Sequence, residues 1–472
     1  MNKKGLLFKV IFAVSFFLLL ANCTTAKGQY KGVDEKLTRR DYHAVIAQIE
    51  AAKGKDYGEK NRVWYYLDLG MLYHYAGDYA KSNEYLTEAE NAIEELYTES
   101  ISRAAASFVL NDNTKEYAGE DYEDIYTNVF KALNYLALGN NEAAGVEVRK
   151  VHVKLNKLET KYPIEEENVR KAAPPLFRSS ALAHYLSMQI YRMEKEWDEA
   201  EIDRKKIAAA MRGQRDLYIR LADPEQAIEI DEGALPTEIP PDRAIVSVVA
   251  FNGLGPEKVA RQINVNTIAG FLSISSRVDD KKSGAAAEIR GLFHYPDILI
   301  PIPMMPPGYN FTVELPEMRA KCPAADRIRV VVDGREEIEL FPIENITRVA
   351  EATFARKVAS AYAKTLLRAG AKFAAAIAAS EAANRAGGGL VGALTRFGTS
   401  TLASATEKAD LRLSYFFPGE AYAGELTVDP GEHTVTITYY RGFSEIFRET
   451  KRITISANSL ALVEAFYPGV QR

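Results

Sequence analysis

Cys23 lies where its thiol could be chemically modified. It follows residues 10–21 (VIFAVSFFLLLA), an uncharged apolar run that is short for a membrane span. Lys3, Lys4 and Lys9 form a positive region before this run. A positive region followed by a short apolar run is typical of a secretory signal peptide. We therefore predict that residues 1–22 are a signal peptide. The alternatives are an uncleaved signal anchor, or a signal peptide that Cys23 follows by chance.

Leu20-Ala21-Asn22-Cys23 resembles the lipobox of bacterial lipoproteins, although Asn22 replaces the small residue that usually precedes the cysteine. The resemblance implies that Cys23 receives a diacylglycerol and that the new N-terminus receives a third acyl chain, such as palmitate. Several acyl chains, at about 0.8 kcal/mol per buried methylene, would hold the protein on a lipid bilayer. In lipoproteins of Gram-negative bacteria, an Asp after the acylated cysteine resembles an inner-membrane sorting signal. This chain has Thr24 there, so the resemblance implies attachment to the outer membrane of the cell envelope, facing the periplasm.

Local signatures of catalysis are missing from the sequence. No His-Glu-x-x-His, Gly-x-Ser-x-Gly, Ser-x-x-Lys or P-loop pattern occurs. The six histidines have no paired metal-ligand spacing: His43, His74, His152, His184, His294 and His433. We therefore expect no enzymatic activity, metal or other cofactor, and the alternative is an enzyme assembled from scattered residues.

A glycine-rich turn follows the strand predicted over residues 244–251 (AIVSVVAF). Gly253-Leu254-Gly255 invites comparison with a dinucleotide-binding loop, but Lys258 stands at the third glycine position and Pro256 lies inside the loop. We favour a structural turn.

The net charge and the cysteine count limit the partners and the cross-links that we expect. The formal charge is −5, and it becomes −8 when residues 1–22 are removed, which argues against nucleic acid as a partner. The only other cysteine, Cys322, has no thiol partner if Cys23 is acylated, so we expect no disulfide within the chain. A hydrophobic content of 47% is enough for packed domains.

A helical pattern extends over residues 36–221, with apolar residues at every third or fourth position. Residues 63–90 resemble the tetratricopeptide (TPR) repeat at Tyr66, Leu69, Gly70, Tyr73, Gly77, Asp78, Tyr79, Leu86 and Ala89. Two degenerate copies follow, marked by Ala132, Tyr135, Gly139, Ala144 and Val148, and by Tyr191, Trp197 and Ala200. Because Gly70 and Ala89 are small, we expect paired helices to approach closely there. The resemblance implies a curved helical array that binds proteins.

The concave face of such an array provides the first candidate site. It would display Trp64, Leu67, Met71 and His74 from the first copy and Tyr126, Val129, Leu133 and Leu136 from the second. We interpret Trp64, Met71, His74 and Tyr126 as partner-binding candidates, with Trp64 as the anchor, since aromatic residues often contribute most of the affinity. The alternative is burial of this apolar set against the rest of the protein.

A second candidate patch combines Glu120 and Glu123 with Asn134 and Arg149. The phrases YAGEDYE, ALNYL and VEVR that contain these residues resemble an uncharacterised family of TPR-containing lipoproteins of Gram-negative bacteria. The resemblance covers most of the chain from about residue 111, and the family has no assigned function. The patch either binds a partner or is a buried network in which Arg149 pairs with a carboxylate.

The pattern changes to strands after an acidic, proline-containing linker over residues 222–243. We predict a buried strand over 244–251, a hairpin over 327–340 with an Asp333-Gly334 turn, and strands over 425–428, 434–440, 451–455 and 460–466. The proline-rich residues 298–307 must be an edge or crossing segment. The PGEH phrase at residues 430–433 resembles a turn of extracytoplasmic β-sandwich modules.

Residues 346–406 are rich in alanine and interrupted by three glycines at 387–389, which predicts a helical hairpin. A membrane or pore role is the alternative, but Arg356, Lys364 and Arg368 make the segment too charged to span a bilayer.

These patterns predict an α+β fold. A tether (23–35) precedes a TPR-like α-helical array (36–221), and a β-sandwich-like module with the inserted hairpin follows (244–472). The predicted function is a scaffold that binds an unidentified envelope protein. The alternative is a binder of a cell-wall or carbohydrate ligand through the β-module, using Tyr415, Phe416, Phe417 and Tyr422.

Overall fold

The first half of the chain is helical and the second half consists mainly of strands, so the fold is α+β as predicted. The computed structural model describes residues 28–102, 115–161, 176–214, 217, 230, 235–268, 271–275, 298–301, 310–357 and 408–469. Cys23, the predicted signal peptide and most of the predicted hairpin lie outside these residues.

The helices pack as consecutive pairs. They are α1 (Val33–Thr38), α2 (Tyr42–Ala52), α3 (Arg62–Tyr75), α4 (Tyr79–Ser102), α5 (Asp121–Ala137), α6 (Asn141–Lys161), α7 (Ala181–Glu194) and α8 (Trp197–Gly213). The pairs α3–α4, α5–α6 and α7–α8 are each joined by the same kind of turn. Gly77, Gly139 and Lys195 have φ angles of 81°, 72° and 64° and end the first helix of each pair in the left-handed conformation.

The first pair is packed at the position that the sequence indicates. A Cβ atom added to Gly70 would lie 2.5 Å from Leu86 Cδ2, so only glycine fits between α3 and α4 without displacing a neighbour. Ala89 is also fully buried. Both small residues therefore set the distance between the helices, as predicted.

The strands form three sheets. They are β1 (Ala244–Leu254), β2 (Glu257–Ile268), β3 (Phe271–Ser275), β4 (Ile298–Pro301), β5 (Asn310–Arg319), β6 (Arg327–Val332), β7 (Glu336–Glu339), β8 (Phe341–Glu344), β9 (Pro418–Val428), β10 (Gly431–Arg441), β11 (Ser444–Ile455) and β12 (Ser459–Tyr467). The first sheet has the order β12-β1-β9-β8, the second β11-β10-β6-β7 and the third β4-β3-β2-β5. A further helix, α9, covers residues 346–357.

The first sheet is the middle layer of the molecule. Val246 and Val248 of β1 belong to a core shared with Val330 of β6 and Ile437 of β10, in the second sheet. Val249 and Phe251, on the other face of β1, belong to a core shared with the helices. Every residue of β1 is therefore buried, which explains why its sequence is apolar on both faces apart from Ser247 and Asn252.

Two local predictions for the strands are confirmed. Asp333 and Gly334 have φ angles of 54° and 71° and form the turn between β6 and β7, where positive φ at both positions matches the twist of a hairpin. Strand β4, in the proline-rich segment, is at an edge of the third sheet. Proline is tolerated there because an edge strand leaves part of its backbone unpaired.

The described part of the predicted tether belongs to the folded body. Val33 is fully buried, and the Tyr30 ring stacks on Tyr415 with centroids 4.7 Å apart. In the predicted linker, Leu235 and Ile239 are buried. None of the helices that the structure describes combines the length and the apolar character needed to cross a membrane.

Candidate functional site

The face of α3 that was expected to bind a partner is covered by the chain itself. Trp64, Met71 and His74 are 1%, 0% and 3% exposed. The Trp64 ring packs against Tyr57 at 5.2 Å, and His74 Nε2 lies 2.6 Å from Glu464 Oε1 of β12. The open groove expected for these residues is therefore not present. Rings of the N-terminal half cover Trp64, and the C-terminal half covers His74.

The inner segment, residues 409–417, lies in this covered region without helix or strand. The Ser414 amide donates to Glu123 Oε1 at 2.6 Å, and the Ser414 hydroxyl donates to Asp68 Oδ1 at 2.8 Å. The Tyr415 amide donates to the same Asp68 oxygen at 3.1 Å. Two buried carboxylates of the helical half therefore hold the backbone of a segment that is distant in sequence.

Asp68 has a central role that the sequence analysis missed. The Tyr30 and Tyr57 hydroxyls donate to its Oδ2 at 2.5 and 2.6 Å. Burial raises the pKa of Asp68 to about 6, and the hydrogen bonds from both tyrosines oppose this rise. The available signal was an aspartate within the otherwise apolar run of α3.

Glu120 and Glu123 lie at the N-terminus of α5 and are buried rather than displayed to a partner. They form a capping box, in which Glu123 Oε2 accepts from the Glu120 amide at 2.7 Å. The Glu120 carboxylate binds Lys258 at 2.5 Å and Lys357 at 3.0 Å, and these cations lower its pKa although burial opposes them. Burial raises the pKa of Glu123 to about 7. The predicted patch is thus an internal network here.

Asn134 and Arg149 are not brought together. Asn134 is fully buried and donates to the Ser82 hydroxyl at 2.8 Å, whereas Arg149 is exposed and extends along α6 over Gly145. The expected pairing of Arg149 with a carboxylate is replaced by Lys131, whose Nζ lies 2.8 Å from Glu90 and 3.3 Å from Glu147. Lys131 lies on the buried side of α5, so it reaches those carboxylates and Arg149 does not.

Tyr126 joins the helices to the first sheet. Its hydroxyl donates at 2.5 Å to Glu344 Oε1, and Glu344 is fully buried at the end of β8. The same carboxylate accepts from the Ser180 hydroxyl at 2.8 Å and from the Leu182 amide at 3.1 Å. A carboxylate at the N-terminus of α7 is stabilised by the free amides and by the helix dipole.

The β-module aromatics considered for a carbohydrate ligand are not an open surface. Phe416, Phe417 and Tyr422 are 0%, 1% and 5% exposed. The Tyr415 ring is covered by Tyr30 and by the Lys321 ammonium, which lies 4.0 Å from the ring centroid. None of these rings offers a free face for stacking on a sugar.

The glycine-rich turn at residues 253–255 is packed against other segments of the chain. Strand β2 follows it, whereas a dinucleotide-binding loop leads into a helix. A Cβ atom added to Gly253 would lie 3.3 Å from Pro323 Cα, and the Gly255 amide donates to the Phe417 carbonyl at 2.7 Å. The structural turn that we favoured is what the chain forms.

Asp203, His184 and Ser179 contact one another in the order of an Asp-His-Ser hydrolytic triad. His184 Nδ1 lies 3.0 Å from Asp203 Oδ1, and its Nε2 lies 3.1 Å from the Ser179 hydroxyl. Acyl transfer also needs amide donors for the developing oxyanion. The adjacent α7 amides of Leu182 and Ala183 already donate to Glu344 and to Ser180 Oγ. This geometry favours a structural link between α7 and α8.

A cleft of about 550 Å³, the edge cleft, lies between the helices and the strands. One wall is formed by the end of α5 and the start of α6, including Leu133, Leu136 and Asn141, and by Arg192 and Met193 of α7. The opposite wall is formed by residues 451–453 of β11 and 458–464. Strand β12 is the last strand of its sheet, so its outer edge borders this cleft without a strand partner in the described chain.

Arg192 connects the edge cleft to the buried interface. Its Nη1 donates to Glu425 Oε1 at 2.7 Å and to Gln189 Oε1 at 2.9 Å. The Tyr185 hydroxyl also contacts Glu425, at 3.2 Å, and the Ser247 hydroxyl of β1, at 2.7 Å. This network holds α7 on β1 and β9.

No group of three or more His, Cys, Asp or Glu side chains in the described ranges is arranged to hold a metal ion. Comparison of the chain with protein-family models, with curated proteins and with solved structures finds no match.

Proposed function

We propose that this protein is a lipid-anchored lipoprotein of the bacterial cell envelope and that it acts as a scaffold, holding an extended segment of another protein in the edge cleft. The observation behind the proposal is the outer edge of β12 along residues 459–464. A sheet edge presents unpaired N–H and C=O groups, and an added peptide strand satisfies them.

Features of both walls support a polypeptide as the occupant. Leu136 and Met193 on the helical wall and Leu462 on the strand wall provide apolar contacts. The cleft is also long enough for several residues, because six consecutive positions of β12 border it. Apolar pockets beside a free strand edge give affinity through the backbone and specificity through alternate side chains.

The repeat pattern supports the rest of the proposal. The same turn in three successive helix pairs favours TPR-like units, and two sheets around one core favour a β-sandwich-like module. In this arrangement the covered face of the helices binds the inner segment. The partner binds beside it, where the ends of α5 and α7 meet β12.

Site-specific photocrosslinking tests the proposal. Benzoylphenylalanine is placed at Leu462, inside the cleft, and as a control at Thr450, which is exposed on β11 outside it. We expect the Leu462 crosslink to map to one segment of one protein. A synthetic peptide of that segment should bind the wild-type chain but not Ala461→Trp, which places a bulky side chain in the strand wall of the cleft.

Identical products from Leu462 and Thr450 would count against the proposal. Equal binding of the peptide to the wild-type chain and to Ala461→Trp would do the same. Thr450→Trp is the matched control, because it adds the same side chain outside the cleft.

A further inference from the structure

The guanidinium of Arg192 has two donor nitrogens without an acceptor in the described chain. Its Nη1 is bound to Glu425 and Gln189, but Nε and Nη2 are buried and have no hydrogen-bond partner. The side chain is 0% exposed and lines the edge cleft. A buried donor without an acceptor is costly, so such a group points to a ligand that completes it.

The two free atoms form a specific geometry. Nε–H and Nη2–H project in parallel from the same side of the planar guanidinium, and this fork matches the two oxygens of a carboxylate. Glu425 does not use the fork, because it contacts Nη1 with one oxygen and its Oε2 has no partner. The existing ion pair therefore fixes the guanidinium and leaves the fork for a second acid.

The surrounding charges favour an anionic ligand. Lys451 and Arg452 line the same cleft, and Glu464 is the acidic side chain among its lining residues. Glu464 is already engaged with His74 at 2.6 Å, and the Lys451 ammonium contacts the Glu464 carbonyl. Met193 also borders the cleft beside Arg192, and an unbranched methionine side chain repacks more readily than a branched one.

We propose that the edge cleft selects an extended peptide with a carboxylate that binds the Nε/Nη2 fork of Arg192. The proposal rests on the function proposed above and adds the chemical class of the bound segment. The carboxylate comes from an Asp or Glu side chain or from the C-terminus of the partner. Either source places one acid on the Arg192 guanidinium while the adjacent peptide backbone follows β12.

A peptide library tests the proposal. The mature chain is immobilised and exposed to octapeptides of random sequence, half with a free C-terminus and half amidated. Retained peptides are sequenced by mass spectrometry. We expect wild-type protein to enrich Asp or Glu at one position of the amidated half, or to retain mainly the half with the free C-terminus. The first result identifies a side chain as the source and the second identifies the terminus.

Arg192→Lys is the decisive variant. Lysine keeps a cation for Glu425 but has no planar fork, so we expect the preference for the acid to fall by about tenfold while peptides are still retained. Retention of peptides by the wild-type chain without any preference for an acid would overturn this inference and leave the proposed function standing. An unchanged preference in Arg192→Lys would overturn it as well.

Ala461→Trp separates failure of the inference from failure of the proposed function. If the wild-type chain retains no more peptide than Ala461→Trp does, both proposals are wrong. Melting curves establish that each variant is folded. If Arg192→Lys does not fold, a variant with both Lys451→Gln and Arg452→Gln decides instead, because these are the other cations that line the cleft. An acid preference that survives this change comes from Arg192, and a preference that is lost overturns the inference.

Discussion

Replacing Glu123 by glutamine should change how the stability of the protein depends on pH. The carboxylate is fully buried and accepts hydrogen bonds from the Tyr117 hydroxyl at 2.6 Å and from the Glu120 and Ser414 amides at 2.7 and 2.6 Å. Burial nevertheless raises its pKa from 4.5 to about 7. The folded protein therefore binds a proton at this site more tightly than the unfolded chain does.

The sign and size of the effect follow from this difference. At pH values between 4.5 and about 7 the folded chain keeps a proton that the unfolded chain has released. The free energy of unfolding therefore decreases as the pH rises, by about 1.4 kcal/mol per pH unit. Over the whole interval the contribution is about 3 kcal/mol, which is fully present at low pH and lost above the folded pKa. Glutamine cannot titrate, so Glu123→Gln lacks this contribution.

The assay is urea unfolding of both proteins at several pH values from about 4.5 to 8, followed by circular dichroism. Titration of the groups that do not interact with Glu123 cancels in the difference between wild type and variant. The free energy of unfolding of the wild type minus that of Glu123→Gln should fall by about 3 kcal/mol as the pH rises. Tyr117→Phe is an internal check: the Tyr117 hydroxyl lowers the pKa of Glu123, so removing it should move the step to higher pH. A flat difference, or one that rises with pH, would refute the reasoning.

Three further predictions concern packing and anchoring. Gly70→Ala should lower the free energy of unfolding by about 1–3 kcal/mol, because the added Cβ would lie 2.5 Å from Leu86. Gly54→Ala is the control: a Cβ there would meet no atom within 4 Å, so it should not destabilise the protein by overpacking. Trp64→Ala should cost about 3–5 kcal/mol in urea unfolding, since the ring is buried; a loss below about 1 kcal/mol would contradict its place in the core. Cys23→Ala should release the protein from the membrane fraction or leave it uncleaved, and unchanged processing and fractionation would rule out the acyl anchor.

Local features of the fold were predictable because local residues determine them. The Asp333-Gly334 turn follows from the tolerance of both residues for positive φ, and the strand over 244–251 follows from its apolar run. Gly70 was identified because only a small residue fits between paired helices. Each of these inferences used residues within a few positions of one another.

The candidate site was harder to predict because its contacts join distant parts of the chain. Trp64 and Tyr126 lie on apolar faces of their helices. Sequence periodicity identifies such a face but does not show whether another segment of the chain covers it. Ser414 lies 346 residues after Asp68, and Glu425 lies 233 residues after Arg192. The free edge of β12 depends on the parallel pairing of β1 with β12, which is equally non-local. Charged residues within apolar helices, such as Asp68 and Arg192, were the available signal.

The position of the inner segment also affects how the chain folds during synthesis. The ribosome completes α3 and α5 long before it reaches Ser414, so Asp68 and Glu123 at first lack the amides that they bind in the finished protein. Contacts separated by hundreds of residues make folding slow. We expect the helical half to stay incompletely packed, and open to chaperones and proteases, until the last strands are available. A fragment ending before residue 244 should accordingly be degraded faster than the full chain.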